Sequence, residues 1–270
     1  MEKTDLLCYN IVEIHINEVF AMKLGAQLYS LRTFCKTPDG IRDTFRRVKE
    51  IGYEVVQVSG CGPIEPERLR DISEEFSLPI TCTHSPSDRI LRDTDKLIAE
   101  HKLYGCDSIG IGSMDVKYRG SVEGVRAFIA EFREACKKIH DAGLMLTYHN
   151  HDFEFVDCGG TDLYEILIEE SEFDFIHDVY WSTFAGKNPL DYIPRLAGRM
   201  TNIHFKDLSS EEKHPICACG NGTIDFKPLI AAAEKAGVKY VQVEQDNAPD
   251  FPDAFEQMKI SFKTLRPLIK

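Results

Sequence analysis

The chain has 270 residues, 43% of them hydrophobic and 28% charged, with a formal net charge of −12. This composition provides for a sizeable core and includes no apolar run near the roughly 18 residues that a membrane span requires. The negative balance disfavours nucleic acid as a partner, because phosphates are held mainly by Lys and Arg.

Residues 1–21 are broken by acidic groups and lack a basic start followed by an apolar core, so they read as an N-terminal extension rather than a signal peptide. From Met22 onward, strand and helix patterns alternate eight times. The predicted strands are Lys23–Leu28, Glu54–Val58, Leu78–His84, Ser108–Gly112, Leu144–His149, Phe173–Asp178, Met200–His204 and Tyr240–Glu244. Their ends lie about 26 to 40 residues apart, room for one helix and two loops each time. Helix punctuation agrees with this spacing. Thr37-Pro38-Asp39 opens a stretch closed by Gly52, Ser121 opens another closed by Gly143, and Asp225 opens one closed by Gly237. Eight such units over 22–270, with no linker, predict one closed (β/α)₈ TIM barrel. A doubly wound nucleotide-binding sheet is disfavoured, since the first strand runs into Gln27-Leu28-Tyr29-Ser30 rather than a glycine-rich loop.

Nine cysteines are scattered through apparent strands and helices, which suits reduced thiols in a cytoplasmic protein better than a disulfide framework. Cys217-x-Cys219 near His214 lacks a second cysteine pair, so the ligand count argues against structural zinc. Gly220-x-Gly222 is not followed by Lys-Ser/Thr and reads as a tight turn rather than a phosphate loop.

A barrel collects the C-terminal ends of its strands on one face, where active sites lie. Here the apolar run Leu144–Tyr148 breaks into His149, Asn150, His151, Asp152 and Glu154. Later strands end in Asp178, His204 and Glu244. Carboxylates at the ends of apolar strands are costly unless paired or metal-bound. Mixed oxygen and imidazole ligands suit Mn²⁺, Mg²⁺, Co²⁺ or Zn²⁺. Each residue taken alone is equally readable as a satisfied rim group; it is the set on successive strands that points to a site.

Tyr148-His-Asn-His-Asp-Phe-Glu-Phe155, Asp178-Val-Tyr-Trp-Ser-Thr-Phe-Ala-Gly186, His204-Phe-Lys-Asp207, Gly220-Asn-Gly-Thr-Ile-Asp-Phe226 and Val243-Glu-Gln-Asp246 together resemble the sugar phosphate isomerase/epimerase superfamily, the xylose isomerase-like TIM barrels. The resemblance implies one divalent ion, with Mn²⁺ the first choice, held by Glu154, Asp178, His204 and Glu244. The family often has a glutamate within the fifth strand, where this chain has His149. Glu154 would reach back from the loop, with His149 or His151 able to substitute or support. By the same resemblance, Glu154 and Glu244 would be the acid–base pair of an isomerase or epimerase working beside a metal-bound carbonyl.

Lys206 would bind a substrate oxygen or stabilise an enolate, and reads equally as a solvated lysine of the rim. His84, His149 and Trp181 would contact substrate hydroxyls or the sugar ring, with Tyr29 and Phe184 completing a wall; His84 reads equally as a satisfied core histidine and Trp181 as a cap on the barrel rim. The alternative within the enzyme class is a lyase or dehydratase acting on a keto-sugar, inosose or 3-keto-glycoside, with His151 as acid for the leaving group. Outside it stands a sugar-binding barrel without catalysis. The partner expected is a small carbohydrate, and the resemblance allows a homo-oligomer.

Overall fold

The computed structural model describes residues 21–270, so the expectation of an N-terminal extension lies almost wholly outside the described residues. Eight parallel strands close into a barrel: β1 Lys23–Gln27, β2 Val55–Val58, β3 Ile80–His84, β4 Ser108–Ile111, β5 Met145–His149, β6 Asp174–Asp178, β7 Asn202–Phe205 and β8 Tyr240–Val243. Each pairs with its neighbours in sequence, and β1 closes on β8 with Lys23 opposite Tyr240. The (β/α)₈ architecture predicted from the alternation is the one observed.

The helices begin where the capping signals place them. Thr37 accepts a hydrogen bond from Gly40 N ahead of Pro38–Ile51, and Ser121 accepts one from Gly124 N ahead of Val122–Asp141. Each satisfies an amide that the first helical turn leaves without a partner. Gly52 ends the first of these helices at φ +119, and a Cβ there would stand 2.6 Å from the Phe262 ring. Backbone conformation and packing therefore both demand glycine at that stop.

The barrel interior is layered. Apolar side chains such as Leu24, Val56, Ile80, Ile109, Leu146, Phe175, Ile203 and Val241 are buried. A polar layer crosses the interior as well: Gln242 donates to Thr81 Oγ1 (2.7 Å) and Asn202 Oδ1 (3.1 Å), and Thr81 donates to the same Asn202 oxygen (3.0 Å). Gly25 on β1 makes room for this layer, because a Cβ there would fall 2.3 Å from Gln242 Oε1. Above the layer lie the strand ends that carry the site.

The long interval between β7 and β8 holds an element the sequence pattern did not announce, a ribbon pairing Asp207–Leu208 with Ile216–Cys217. Both strands are two residues long, too short for a period-2 signal. Asp207 organises the loop behind it. Its carboxylate accepts from Gly220 N (2.8 Å), Gly222 N (3.0 Å) and Ile224 N (3.1 Å). A Cβ on Gly222 would meet Asp207 Oδ1 at 2.3 Å. The glycine-rich turn thus wraps a carboxylate of its own chain. Cys219 is buried against Phe205 O, and His214 bonds Ser209 O, so these groups do not gather as a zinc site.

Candidate functional site

Four buried residues from successive strand ends converge at the C-terminal face: His149, Asp178, His204 and Glu244. One ligand atom from each lies within 4.8 Å of all the others. His149 Nε2 is 3.0 Å from Asp178 Oδ2, His204 Nδ1 is 3.6 Å from the same oxygen, and His204 Nδ1 is 3.0 Å from Glu244 Oε2.

Groups behind the cluster fix which atoms face it. The outer nitrogen of His204, Nε2, bonds Gln57 Oε1 on β2 at 2.7 Å. That of His149, Nδ1, bonds the Gly112 carbonyl at 3.2 Å. Both partners are acceptors, so each imidazole donates outward and, when neutral, turns a lone pair inward. Asp178 is held as firmly: Oδ1 takes Tyr180 N (2.9 Å) and Trp181 N (3.2 Å), and its own amide donates to Asn150 (2.8 Å). That leaves Oδ2 for the cluster.

Four acceptor atoms this close repel one another unless a proton or cation lies among them. His204 Nδ1 and Glu244 Oε2 are buried without a well-directed hydrogen bond despite their short separation. Donor set, burial, outward hydrogen bonds and unsatisfied atoms all fit a divalent cation.

The electrostatics carry the same demand for positive charge. Burial would raise the Asp178 and Glu244 carboxyls, but Lys206 and the imidazoles overcome it and hold both below the ordinary range. Burial likewise opposes a charged His204, yet Asp178 and Glu244 raise its proton affinity. The Lys206 ammonium, almost fully buried, lies 3.2 Å from Asp178 Oδ2, 2.9 Å from Glu244 Oε2 and 2.9 Å from Asp246 Oδ2. These carboxylates keep its pKa well above the usual lysine range against the cost of burial.

Glu154 stands elsewhere. The sequence reading placed it among the metal ligands and as half of an acid–base pair. Instead it lies in the short 3₁₀ turn Phe153–Phe155, fully buried, bonded to the Tyr148 hydroxyl and accepting from His151 N at 2.8 Å. The turn bends the chain back immediately after β5, so Glu154 packs behind His151 while His149 takes the fifth-strand position in the cluster. Burial pushes its carboxyl up to about 7. It props the loop that presents His151.

A cavity of about 270 Å³ opens over the cluster, lined by Tyr29, Ser59, His84, Gly112, Ser113, His149, His151, Glu244 and Asp246. His84 Nδ1 meets Ser59 Oγ at 3.3 Å, while its Nε2 has no partner. His151 stacks on Phe153 with ring centroids 5.6 Å apart and lies 5.4 Å from Trp181. Its Nδ1 and the Trp181 Nε1 are also buried without partners. Burial lowers the proton affinity of both His84 and His151, leaving neutral imidazoles at neutral pH. Phe184 is 41% exposed beyond Trp181. The chain thus supplies a charged floor and a rim of neutral polar atoms awaiting partners.

Sequence reasoning had not given roles to Gln57, Asn150 or Asp246. Gln57 sits in an apolar strand, Val-Val-Gln-Val, and a lone polar residue in such a run was the available signal. Asp246 lay within the motif Val-Glu-Gln-Asp, where the neighbouring Glu244 drew the attention.

A family model, the xylose isomerase-like TIM barrel, matches residues 45–268. The chain belongs to that family. Among solved structures, a sugar phosphate isomerase/epimerase from Parabacteroides distasonis superposes with a TM-score of 0.76 at 19% identity, over 93% of this chain and 96% of that one. An L-ribulose 3-epimerase gives a TM-score of 0.67 at 12% identity, over 92% and 94%. At these identities the likeness is one of fold. An inosose dehydratase from Lacticaseibacillus casei is 25% identical over 135 residues, 43% of this chain and 45% of that protein. The match therefore spans less than half the length of that relative. Among the described residues, no helix is long and apolar enough to cross a membrane.

Proposed function

We propose that this xylose isomerase-like barrel is a divalent-metal-dependent enzyme that removes a proton from the carbon beside the carbonyl of a small sugar or polyol. The observation that carries this reading is the convergence of His149, Asp178, His204 and Glu244, four buried ligand atoms within 4.8 Å of one another at the strand ends. A divalent cation bound there would polarise a substrate carbonyl and acidify the adjacent C–H.

The remaining groups divide the work. His151 faces the cavity with an unpartnered Nδ1 and is neutral, the protonation state from which a general base accepts a proton. Lys206, held among the Asp178, Glu244 and Asp246 carboxylates, would supply positive charge for the oxygen on which negative charge develops. His84 Nε2 and Trp181 Nε1 supply hydrogen bonds for substrate hydroxyls, and their lack of protein partners supports this role. The rim's mixture of aromatic faces and polar tips suits a sugar, which presents C–H and O–H surfaces together.

With Glu154 turned away, His151 is the principal proton acceptor on its side of the cavity. One base can take a proton from one carbon and return it to the next on the same face, which is aldose–ketose isomerisation. Epimerisation needs groups on both faces, so Glu244 or Asp246, which line the same cavity, would have to act opposite His151; isomerisation needs only the one base and is the preferred outcome. The second reading is dehydration or lysis: the imidazolium formed at His151 gives its proton to a departing β-oxygen instead. The similarity to inosose dehydratases favours that alternative. A sugar-binding barrel without chemistry would have no need of a buried, cation-demanding cluster.

Proton NMR in D₂O of the Mn²⁺-loaded, then chelated and desalted, reaction mixture separates these readings, with ketoses, inososes and 3-keto-glycosides as substrates. Deuterium beside the carbonyl with the hydroxyl count kept establishes isomerisation. Loss of water or of an aglycone establishes the lyase. Bound metal with no exchange in any substrate would overturn the proposal.

A further inference from the structure

The position of Lys206 relative to the four ligand atoms carries a consequence for how the site takes up its ion. Its Nζ forms ion pairs with Asp178 Oδ2 and Glu244 Oε2, the carboxylate oxygens that face the cluster, at 3.2 and 2.9 Å. An ammonium and a divalent cation seeking the same two oxygens oppose each other, strongly so in a buried site. The third contact of Lys206 is of another kind. Asp246 lies outside the four-residue cluster, on the cavity wall, with its side chain 32% exposed and its Oδ2 2.9 Å from Nζ.

We infer that Lys206 and Asp246 form a cation-exchange pair: Lys206 competes with the divalent ion for Asp178 and Glu244, and Asp246 is the berth that holds the ammonium when the ion displaces it. This rests on the metal-site reading of the cluster. The ammonium leaves two carboxylates for one and stays inside the cavity, so the arriving ion adds its full charge to a site whose three carboxylates had faced a single ammonium. The exchange sets ion affinity below what the four ligands alone would give. It also delivers the ammonium toward the substrate side of the site when the ion arrives.

The test is Mn²⁺ binding by calorimetry to the metal-stripped wild-type chain, Lys206→Met, Asp246→Asn and the double variant, with thermal melts to verify folding. Lys206→Met is expected to bind Mn²⁺ at least about tenfold more tightly, because the internal competitor is gone. Asp246→Asn is expected to bind several-fold more weakly, because the displaced ammonium has lost its berth.

The double variant distinguishes exchange from simple charge. If Asp246 acts through Lys206, the double variant binds as tightly as Lys206→Met. If the two effects add, or if Lys206→Met binds no more tightly than wild type, the exchange pair is overturned while the metal site stands. If no chain binds Mn²⁺, the metal-site reading itself falls. Should Lys206→Met fail to fold, Lys206→Gln takes its place in the cycle, with a smaller gain expected and the same additivity test.

Discussion

The first four strands of the barrel end in amides, hydroxyls, an imidazole and glycine, through Gln27, Gln57, Ser59, Thr83, His84 and Gly112. The last four deliver His149, Asp178, His204 and Glu244. The four charged-half groups are all buried, while in the first half Gln27, Gln57, Ser59 and Thr83 are buried and His84 and Gly112 are partly exposed, so the main difference is one of charge. Through Gln57 and the Gly112 carbonyl, the neutral half occupies the outer nitrogens of His204 and His149. A half-barrel with no carboxylate at its strand ends therefore decides which nitrogens the other half presents. The protonation pattern is set for His204 from across the barrel and for His149 from the adjacent strand.

The strongest way to break this division is to remove a charged-half ligand. Glu244→Gln and Asp178→Asn should each lower divalent-metal affinity by at least about 100-fold and abolish turnover, with the fold retained. Metal analysis after dialysis checks it, and tight binding by Glu244→Gln would remove that residue from the site. Next in size is the support from the neutral half. Gln57→Leu leaves His204 Nε2 without its acceptor and should weaken metal binding about 10- to 100-fold. If affinity holds, the cross-barrel argument fails.

Glu154 sharpens the comparison, because it is a buried carboxylate of the charged half that stands outside the cluster. Its carboxyl is raised from about 4.5 to about 7, so the folded state prefers it protonated. The associated stability is complete below about pH 4.5 and is lost as pH rises through about 7, a change of about 3 kcal/mol. Glu154→Gln should flatten that part of the stability curve, as urea unfolding at pH 5 and pH 8 would show, while changing metal affinity less than about threefold. A 100-fold loss of metal would restore Glu154 to the ligand set. The smallest effect belongs to Ser59→Ala. It frees His84 Nδ1 at the cavity edge and should raise KM a few-fold with kcat nearly unchanged.

The barrel itself was legible because its signals are periodic and repeated: apolar runs, caps and glycine stops recur at one spacing. Asp178, His204 and Glu244 were legible for a related reason, since each charge interrupts an apolar strand at its end. The choice between Glu154 and His149 as the fifth-strand ligand was open in the sequence because it falls where periodicity stops. A 3₁₀ turn of three residues, Phe153–Phe155, leaves no pattern, yet it turns the side chain from the cluster toward Tyr148. Asp246 was obscured for a different reason. Its importance depends on where the Lys206 ammonium comes to rest, and that is a fact of three-dimensional packing between β7 and the loop after β8.

The pairing of β1 with β8 also has a temporal side. One edge of β1 pairs early with β2, but on its other edge Lys23 and Leu24 meet Tyr240 and Val241, so during synthesis that edge waits for residues made more than two hundred positions later. The loop that this closes is among the longest the chain offers, and contacts of such separation are slow to form. Glu244 follows directly on that last strand. On a ribosome, the cluster is complete only once the ring can be closed, and a chain stalled before residue 240 has neither a sealed barrel nor its fourth ligand.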